Sequence, residues 1–186
     1  MAGTRDARRR ILEATAELVT ARGLDAATPA AIAERAGAGK MSLYRHFAGK
    51  DELVAEALAV RDLDYRSWLV GDPADGTARE RLLTLFDRAA GAADRRGSRF
   101  IGCPYVRARL GSDDDHPVAP VVVAHKDGML GELAALLAEI GVPDPERRAQ
   151  VVLMLLDGAV VHSVIRGNGD PVREARAALP GLISGP

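Results

Sequence analysis

The sequence predicts an all-α protein of about nine helices. Across its 186 residues, apolar side chains recur three or four positions apart, whereas sustained alternation of apolar and polar residues is scarce. The first pattern is typical of amphipathic helices, and the second would be needed for half-buried strands. Helix-start signals also recur, since Thr28 and Asp144 each precede a proline and Thr77 opens a capping box.

The first four helices occupy the N-terminal third of the chain. Gly23 ends the first of them, and Thr28-Pro29 opens the second with a capping hydroxyl and a proline at its first position. Asp51 and Glu52 lie in the first turn of the fourth, where the helix dipole favours negative charge. We expect these helices at about 4–22, 29–36, 40–47 and 50–68.

The remaining five helices follow a loop of glycine, aspartate and proline at residues 71–76. Thr77 opens the fifth helix and Asp144-Pro145 the eighth. The ninth is expected to end near Pro180, because proline lacks the N–H that a helix interior requires. We expect these helices at about 78–94, 103–110, 121–140, 145–166 and 171–179.

Composition is that of a folded protein, with 47% hydrophobic and 27% charged residues. No apolar run approaches the roughly 20 residues of a membrane-spanning helix, and the charged N-terminus lacks the apolar stretch of a secretory signal. Cys103 is the one cysteine, so no internal disulfide can form. We therefore expect a cytoplasmic protein with no membrane partner.

Charge is unevenly distributed along the chain. The net charge of −1 combines +4 in residues 1–50 with −5 in residues 51–186. A basic first quarter joined to an acidic remainder favours a polyanion-binding module followed by a second domain. An asymmetry of this size is also compatible with chance.

Residues 28–50 have the outline of a helix-turn-helix. Two short helices flank a turn that contains Gly37 and Gly39. In the second helix, Leu43 and Phe47 lie four positions apart and form an inner face. Such a unit places its second helix in the major groove of double-stranded DNA.

This segment resembles the TetR family of transcriptional regulators. The resemblance rests on Ala-Glu-Arg-Ala-Gly at 33–37, Leu-Tyr-Arg-His-Phe at 43–47 and Lys-Asp-Glu-Leu at 50–53. It implies a helix-turn-helix DNA-binding domain at residues 1–50 and a larger helical domain at 51–186 that binds an effector and dimerises. Gly39 stands where members often carry serine, which excludes a side-chain contact at that position.

The resemblance also implies which side chains contact DNA. It assigns phosphate contacts to Thr28, Tyr44 and Lys50. It assigns base contacts to the exposed face of the second helix of the helix-turn-helix, at Lys40, Met41, Ser42, Arg45 and His46. Tyr44 also fits a position at the edge of the core, and His46 also fits a packing or solvent-facing role. The arginines at positions 5, 8, 9 and 10 leave two interpretations open, phosphate contacts or an exposed helix start.

The predicted helix at 145–166 is apolar around much of its circumference and needs cover on every side. A second subunit would provide that cover, although burial within one subunit remains the alternative. The predicted homodimer interface comprises Met154, Gly158, Val161, Val164 and Ile165, with Ala175 and Leu179 from the last helix.

An effector pocket is predicted in the larger domain from apolar residues with a few polar groups. Its candidate lining comprises Trp68, Phe86, Phe100, Cys103, Tyr105, His125, Met129 and His162. The same set also suits an ordinary helical core. No metal-ligand spacing, nucleophile elbow or phosphate-binding glycine pattern occurs, so we expect no metal, no cofactor and no catalysis.

The resulting expectation is a homodimeric repressor that binds an inverted-repeat operator and is released by a small-molecule effector. Two alternatives stay open at this point. One is a DNA-binding regulator without an effector, and the other is a helical ligand-binding protein or enzyme that has lost DNA binding.

Overall fold

The computed structural model of the protein describes residues 2–183, with side chains from Asp6 onward except that of Pro73. Over this range the chain forms nine α-helices and no β-strand, which confirms the predicted fold class. The helices are α1 Ala2–Arg22, α2 Pro29–Ala36, α3 Lys40–His46, α4 Lys50–Val70, α5 Ala78–Arg96, α6 Pro104–Leu110, α7 Val118–Ile140, α8 Pro145–Arg166 and α9 Asp170–Ile183.

Helix starts follow the capping chemistry of the sequence in two places and depart from it in one. The hydroxyl of Thr28 accepts a hydrogen bond from the N–H of Ala31, and Thr77 forms a reciprocal capping box with Glu80. Asp144 precedes α8 in a left-handed conformation and makes no side-chain cap. Pro145, with its fixed φ, is therefore the signal that marks this start.

The expected end of α9 near Pro180 is wrong, because the helix continues to Ile183. Proline this close to a helix end removes only one backbone hydrogen bond. Continuing the helix beyond Pro180 buries Ile183 in the core. Burial of this aliphatic side chain, at about 1.5–3 kcal/mol, offsets the loss.

Contacts divide the chain into two compact units. The first unit comprises Met1–Asp62 and Cys103–Ala124, and the second comprises Leu63–Gly102 and His125–Pro186. These units are defined by contacts within the chain. The boundary expected at residue 50 instead separates the predicted DNA-binding domain from the rest of the chain, and it remains an expectation.

The second unit is organised around α5, α8 and α9, which pack against one another. Their inward faces and that of α7 form one apolar cluster. Fully buried members include Leu82, Leu85, Phe86, Leu133, Leu137 and Leu179.

An ion-pair network fixes the start of α9 to the end of α5. The carboxylate of Asp94 accepts hydrogen bonds of 2.7 Å from Arg173 Nη1 and from the backbone N–H of Gly169. The Arg173 guanidinium, and after it the Gly169 N–H, hold the pKa of the Asp94 carboxyl below its usual range. Gly169 lies so close to α5 that a Cβ there would stand 2.4 Å from the carbonyl oxygen of Ala90.

Among the described residues, α8 is long and apolar enough to cross a membrane by length and composition alone. Its packing against α5 and α9 is that of a core helix, and one of its faces remains uncovered.

Candidate nucleic-acid interface

The turn between α2 and α3 is built from glycine and backbone hydrogen bonds. Gly37 adopts the left-handed conformation at the end of α2, with φ of 57°, and its N–H bonds back to the helix. Gly39 precedes α3 in an extended conformation that any residue can adopt, and a Cβ there would meet no atom within 4 Å. A serine would therefore fit at position 39, and its absence removes a cap rather than relieving a clash.

Helix α3 packs by one face and leaves the other open. Leu43 and Phe47 are buried, as their spacing predicted. The N–H of Phe47 donates to the carbonyl of Leu43 and closes the last turn. Met41 and Tyr44 are 76% and 57% exposed, although both are large and mainly apolar. Exposed side chains of this kind on a positively charged helix are typical of a binding face.

The other predicted DNA-contacting residues lie around this face. Lys40 and Arg45 are exposed, whereas Ser42, His46 and Lys50 are half-buried. His46 makes an edge contact with the Phe47 ring at 6.3 Å between centroids. Thr28 is exposed at the start of α2; its oxygen accepts the capping bond, which leaves the O–H to donate to a phosphate.

The arginines of α1 have partners within the protein. Arg9 pairs with Asp6 and Glu13 on its own helix, and Arg10 pairs with Asp6. Arg8 pairs with Glu56 of α4 and lies over the Phe47 ring. The side chain of Arg5 lies outside the described residues. Sequence reasoning missed the contacts of Arg8, because no local pattern joins residues 48 positions apart.

The candidate effector residues do not share one environment. Six of them are at least partly buried: Phe86, Phe100, Cys103, Tyr105, His125 and Met129. Trp68 is exposed and lines an open cavity of about 580 Å³ beside Arg88 and Asp72. His162 is exposed on α8. The Tyr105 hydroxyl donates to the carbonyl of Leu58 on α4, which accounts for its buried polar atom structurally.

The candidate dimer residues divide between surface and core. Met154, Gly158, Val161 and Ile165 lie exposed along α8, and Val164 is half-buried beside Gly102. Ala175 and Leu179 of α9 are buried in the core of the second unit. Their side chains therefore have little surface left for a partner.

Within the part of the chain that the structure describes, no group of three or more His, Cys, Asp or Glu side chains could hold a metal ion. His116, whose spacing suggested no metal site, instead joins two elements of the first unit. Its Nε2 lies 3.4 Å from the Asp51 carboxylate, and its Nδ1 accepts the N–H of Val118 at 3.1 Å.

Comparison with family models matches both parts of the chain. Residues 11–57 match the model of bacterial regulatory proteins of the TetR family. This matched segment contains the helix-turn-helix described above. Residues 76–185, more than half of the chain, match the tetracyclin repressor-like C-terminal domain. The chain belongs to the TetR family. It is thus a transcriptional regulator with a helix-turn-helix DNA-binding segment.

Solved structures with the same fold include TetR-family regulators. A protein of Streptomyces avermitilis MA-4680 assigned as a TetR transcriptional regulator is 28% identical, with a TM-score of 0.80 over 95% of this chain and 97% of that one. A TetR-family regulator of Streptomyces coelicolor is 25% identical, with a TM-score of 0.80 over 96% and 88%. Reduced NemR of E. coli shares the fold at 21% identity, with a TM-score of 0.81 over 97% and 98%. Comparison with curated proteins gives no match.

Arg45 and Lys50 are expected to respond differently to replacement by alanine. If Arg45 contacts a guanine edge, its loss costs about 1–3 kcal/mol and relaxes preference at one position in each half-site. If Lys50 contacts phosphate, its loss weakens binding to all sequences alike and lowers the salt slope by about one per contacted site. Tyr44→Phe should behave like Lys50→Ala, because a hydroxyl on phosphate carries no sequence information.

Binding-site selection on the three variants at matched salt measures this difference. Equal loss of preference in all three, or unchanged preference in Arg45→Ala, would contradict the division between base-reading and phosphate-binding residues.

Proposed function

We propose that this TetR-family protein is a cytoplasmic homodimeric repressor that binds an inverted-repeat operator and is released from it by a small-molecule effector. It acts without a cofactor and catalyses no reaction. The observation that carries the proposal is the exposed face of α3, where cationic, aromatic and thioether side chains project from a short helix fixed by Leu43 and Phe47.

The chemistry of this face suits the major groove of DNA. Arg45 can donate two hydrogen bonds to a guanine edge, and Met41 can contact a thymine methyl group. Lys40, the first residue of α3, and Lys50, the first residue of α4, add positive charge on either side of this face. A reading face with both kinds of group supports sequence-specific rather than purely electrostatic binding.

Dimerisation is supported by the uncovered face of α8. Val151, Met154, Gly158, Val161 and Ile165 follow a spacing of three and four residues, so they form one stripe along the helix. Met154 is 65% exposed, Val161 49% and Ile165 73%. An apolar stripe of this length is the seam along which two helices pack, and Gly158 permits a close approach. We propose this stripe as the homodimer interface.

Effector binding is proposed in the second unit, where polar groups lie within an apolar interior. His125 is buried on α7 with its ring 5.8 Å from that of Tyr65. Met129, four residues further along α7, and Phe86 on α5 are buried in the apolar cluster of the same unit. An apolar surround with few polar groups is the usual character of a small-molecule site. Phe86→Ala tests this effector site only if the variant remains folded, because truncating a buried phenylalanine to alanine costs about 3–5 kcal/mol of stability.

A reporter gene tests the regulatory role. A DNA site selected by the protein in vitro is placed between a promoter and the reporter, and expression is measured with and without the protein. Repression predicts lower expression in its presence, and a small molecule that raises the thermal stability of the protein should restore expression. Higher expression in the presence of the protein would show an activator instead.

A further inference from the structure

We propose that Arg8 is a positioning residue for DNA recognition, which holds the end of α3 against α1 and α4 rather than contacting phosphate. The inference rests on the proposed operator binding by α3. It concerns a residue that lies before the segment matched by the DNA-binding family model.

One side chain of α1 makes two contacts at the end of the recognition helix. Nη2 of Arg8 lies 2.5 Å from Oε1 of Glu56 on α4. The Arg8 guanidinium carbon lies 5.1 Å from the centroid of the Phe47 ring. Phe47 directly follows α3 and caps its C-terminal end, where its N–H donates to the carbonyl of Leu43. Arg8 therefore links three helices at the point where the recognition helix stops.

The chemistry of arginine allows both contacts at once. A guanidinium is attracted to the face of an aromatic ring and can also donate N–H groups to a carboxylate. Each contact contributes only modestly to stability, because Arg8 and Glu56 are half-exposed. Both contacts, however, depend on the same Arg8 side chain. Loss of Arg8 should therefore loosen Phe47 and, through it, the last turn of α3. A base-reading helix must be held in one orientation, since small misplacements cost affinity.

Arg9 provides a matched control. It carries the same charge on the same helix, and its partners Asp6 and Glu13 both lie within α1. Its contacts therefore place no constraint on α3. A role of the α1 arginines in phosphate binding would affect Arg8 and Arg9 alike, whereas a positioning role is specific to Arg8.

Glu56→Gln separates positioning from electrostatics by the sign of its effect. The substitution removes a negative charge from the DNA-binding segment, so electrostatics alone predicts tighter binding. It also weakens the hold on Arg8, so positioning predicts weaker binding. We expect Arg8→Ala to weaken binding about fivefold and Glu56→Gln about threefold, with the salt slope of the wild type retained in both. The double variant should bind no more weakly than Arg8→Ala alone.

The experiment combines duplex-DNA binding at several salt concentrations with amide hydrogen exchange of residues 40–47 in the free protein. Exchange of these amides should accelerate in Arg8→Ala and Glu56→Gln and stay at the wild-type rate in Arg9→Ala. A salt slope lowered by about one in Arg8→Ala would show a phosphate contact and overturn the proposal. Tighter binding by Glu56→Gln, or unchanged exchange in α3, would also overturn it. The exchange measurement needs no operator, so failure of operator recognition in the wild type remains a separate result.

Discussion

Val161→Glu is expected to convert the proposed dimer into monomers and to weaken operator binding roughly 100-fold or more, because the second half-site no longer adds avidity. Val161 lies within the exposed α8 stripe, between Gly158 and Ile165. A carboxylate there would be buried without a partner on association, which is strongly unfavourable. Solution scattering gives the mass, and a mobility shift on the selected operator gives the affinity.

Val123→Glu is the matched control for this substitution. Val123 lies on α7, away from the stripe in sequence, and is exposed to a similar degree as Val161. Its replacement adds the same charge without altering any residue of the stripe, so the mass should remain that of the proposed dimer. A dimeric Val161→Glu variant, or a monomeric wild type at micromolar concentration, would contradict dimerisation through α8.

Gly169→Ala is expected to destabilise the protein by about 3 kcal/mol, at the upper end of the range for overpacked sites. Its Cβ would stand 2.4 Å from the carbonyl oxygen of Ala90 and 2.9 Å from the neighbouring backbone carbons. Because these atoms belong to the backbone of α5, relief requires moving α5 or the start of α9. Either movement also strains the Gly169 hydrogen bond to Asp94. Thermal unfolding should show a lower Tm, by about 2–4 °C for each kcal/mol in a protein of this size.

Gly131→Ala makes the same chemical change with the opposite expected sign. Gly131 lies within α7, and a Cβ there would meet no atom within 4 Å. Alanine in a helix interior is favoured over glycine by about 0.5–1 kcal/mol, so this variant should be slightly more stable than the wild type. Equal Tm values for the two variants would show that the approach of Gly169 to α5 is not a constraint on the fold.

Local chemistry accounts for most of what the sequence predicted correctly. The caps at Thr28 and Thr77, the turn at Gly37 and the inner face of α3 each depend on residues within four positions of one another. The extension of α9 beyond Pro180 was missed because it depends on burial of Ile183 in a core assembled from distant helices. Periodicity alone does not report that burial.

The candidate functional residues divide in the same way. Residues of the proposed DNA-reading face were predicted from a local motif and its resemblance to a family. The partners of Arg8 were not, because the Glu56 carboxylate and the Phe47 ring come near it only through the packing of three helices. Likewise, apolar periodicity placed Leu179 and Val161 in one candidate interface, whereas packing buries the first and leaves the second exposed.

Selection of binding sites from random duplex DNA by the wild-type protein shows whether two copies of α3, related by a dimer axis, read double-stranded DNA in the major groove. We expect enrichment of an inverted repeat whose half-site centres are separated by roughly 34–36 Å, or a multiple of that distance. Absence of any enriched sequence, or enrichment of a single half-site without its inverted copy, would contradict it.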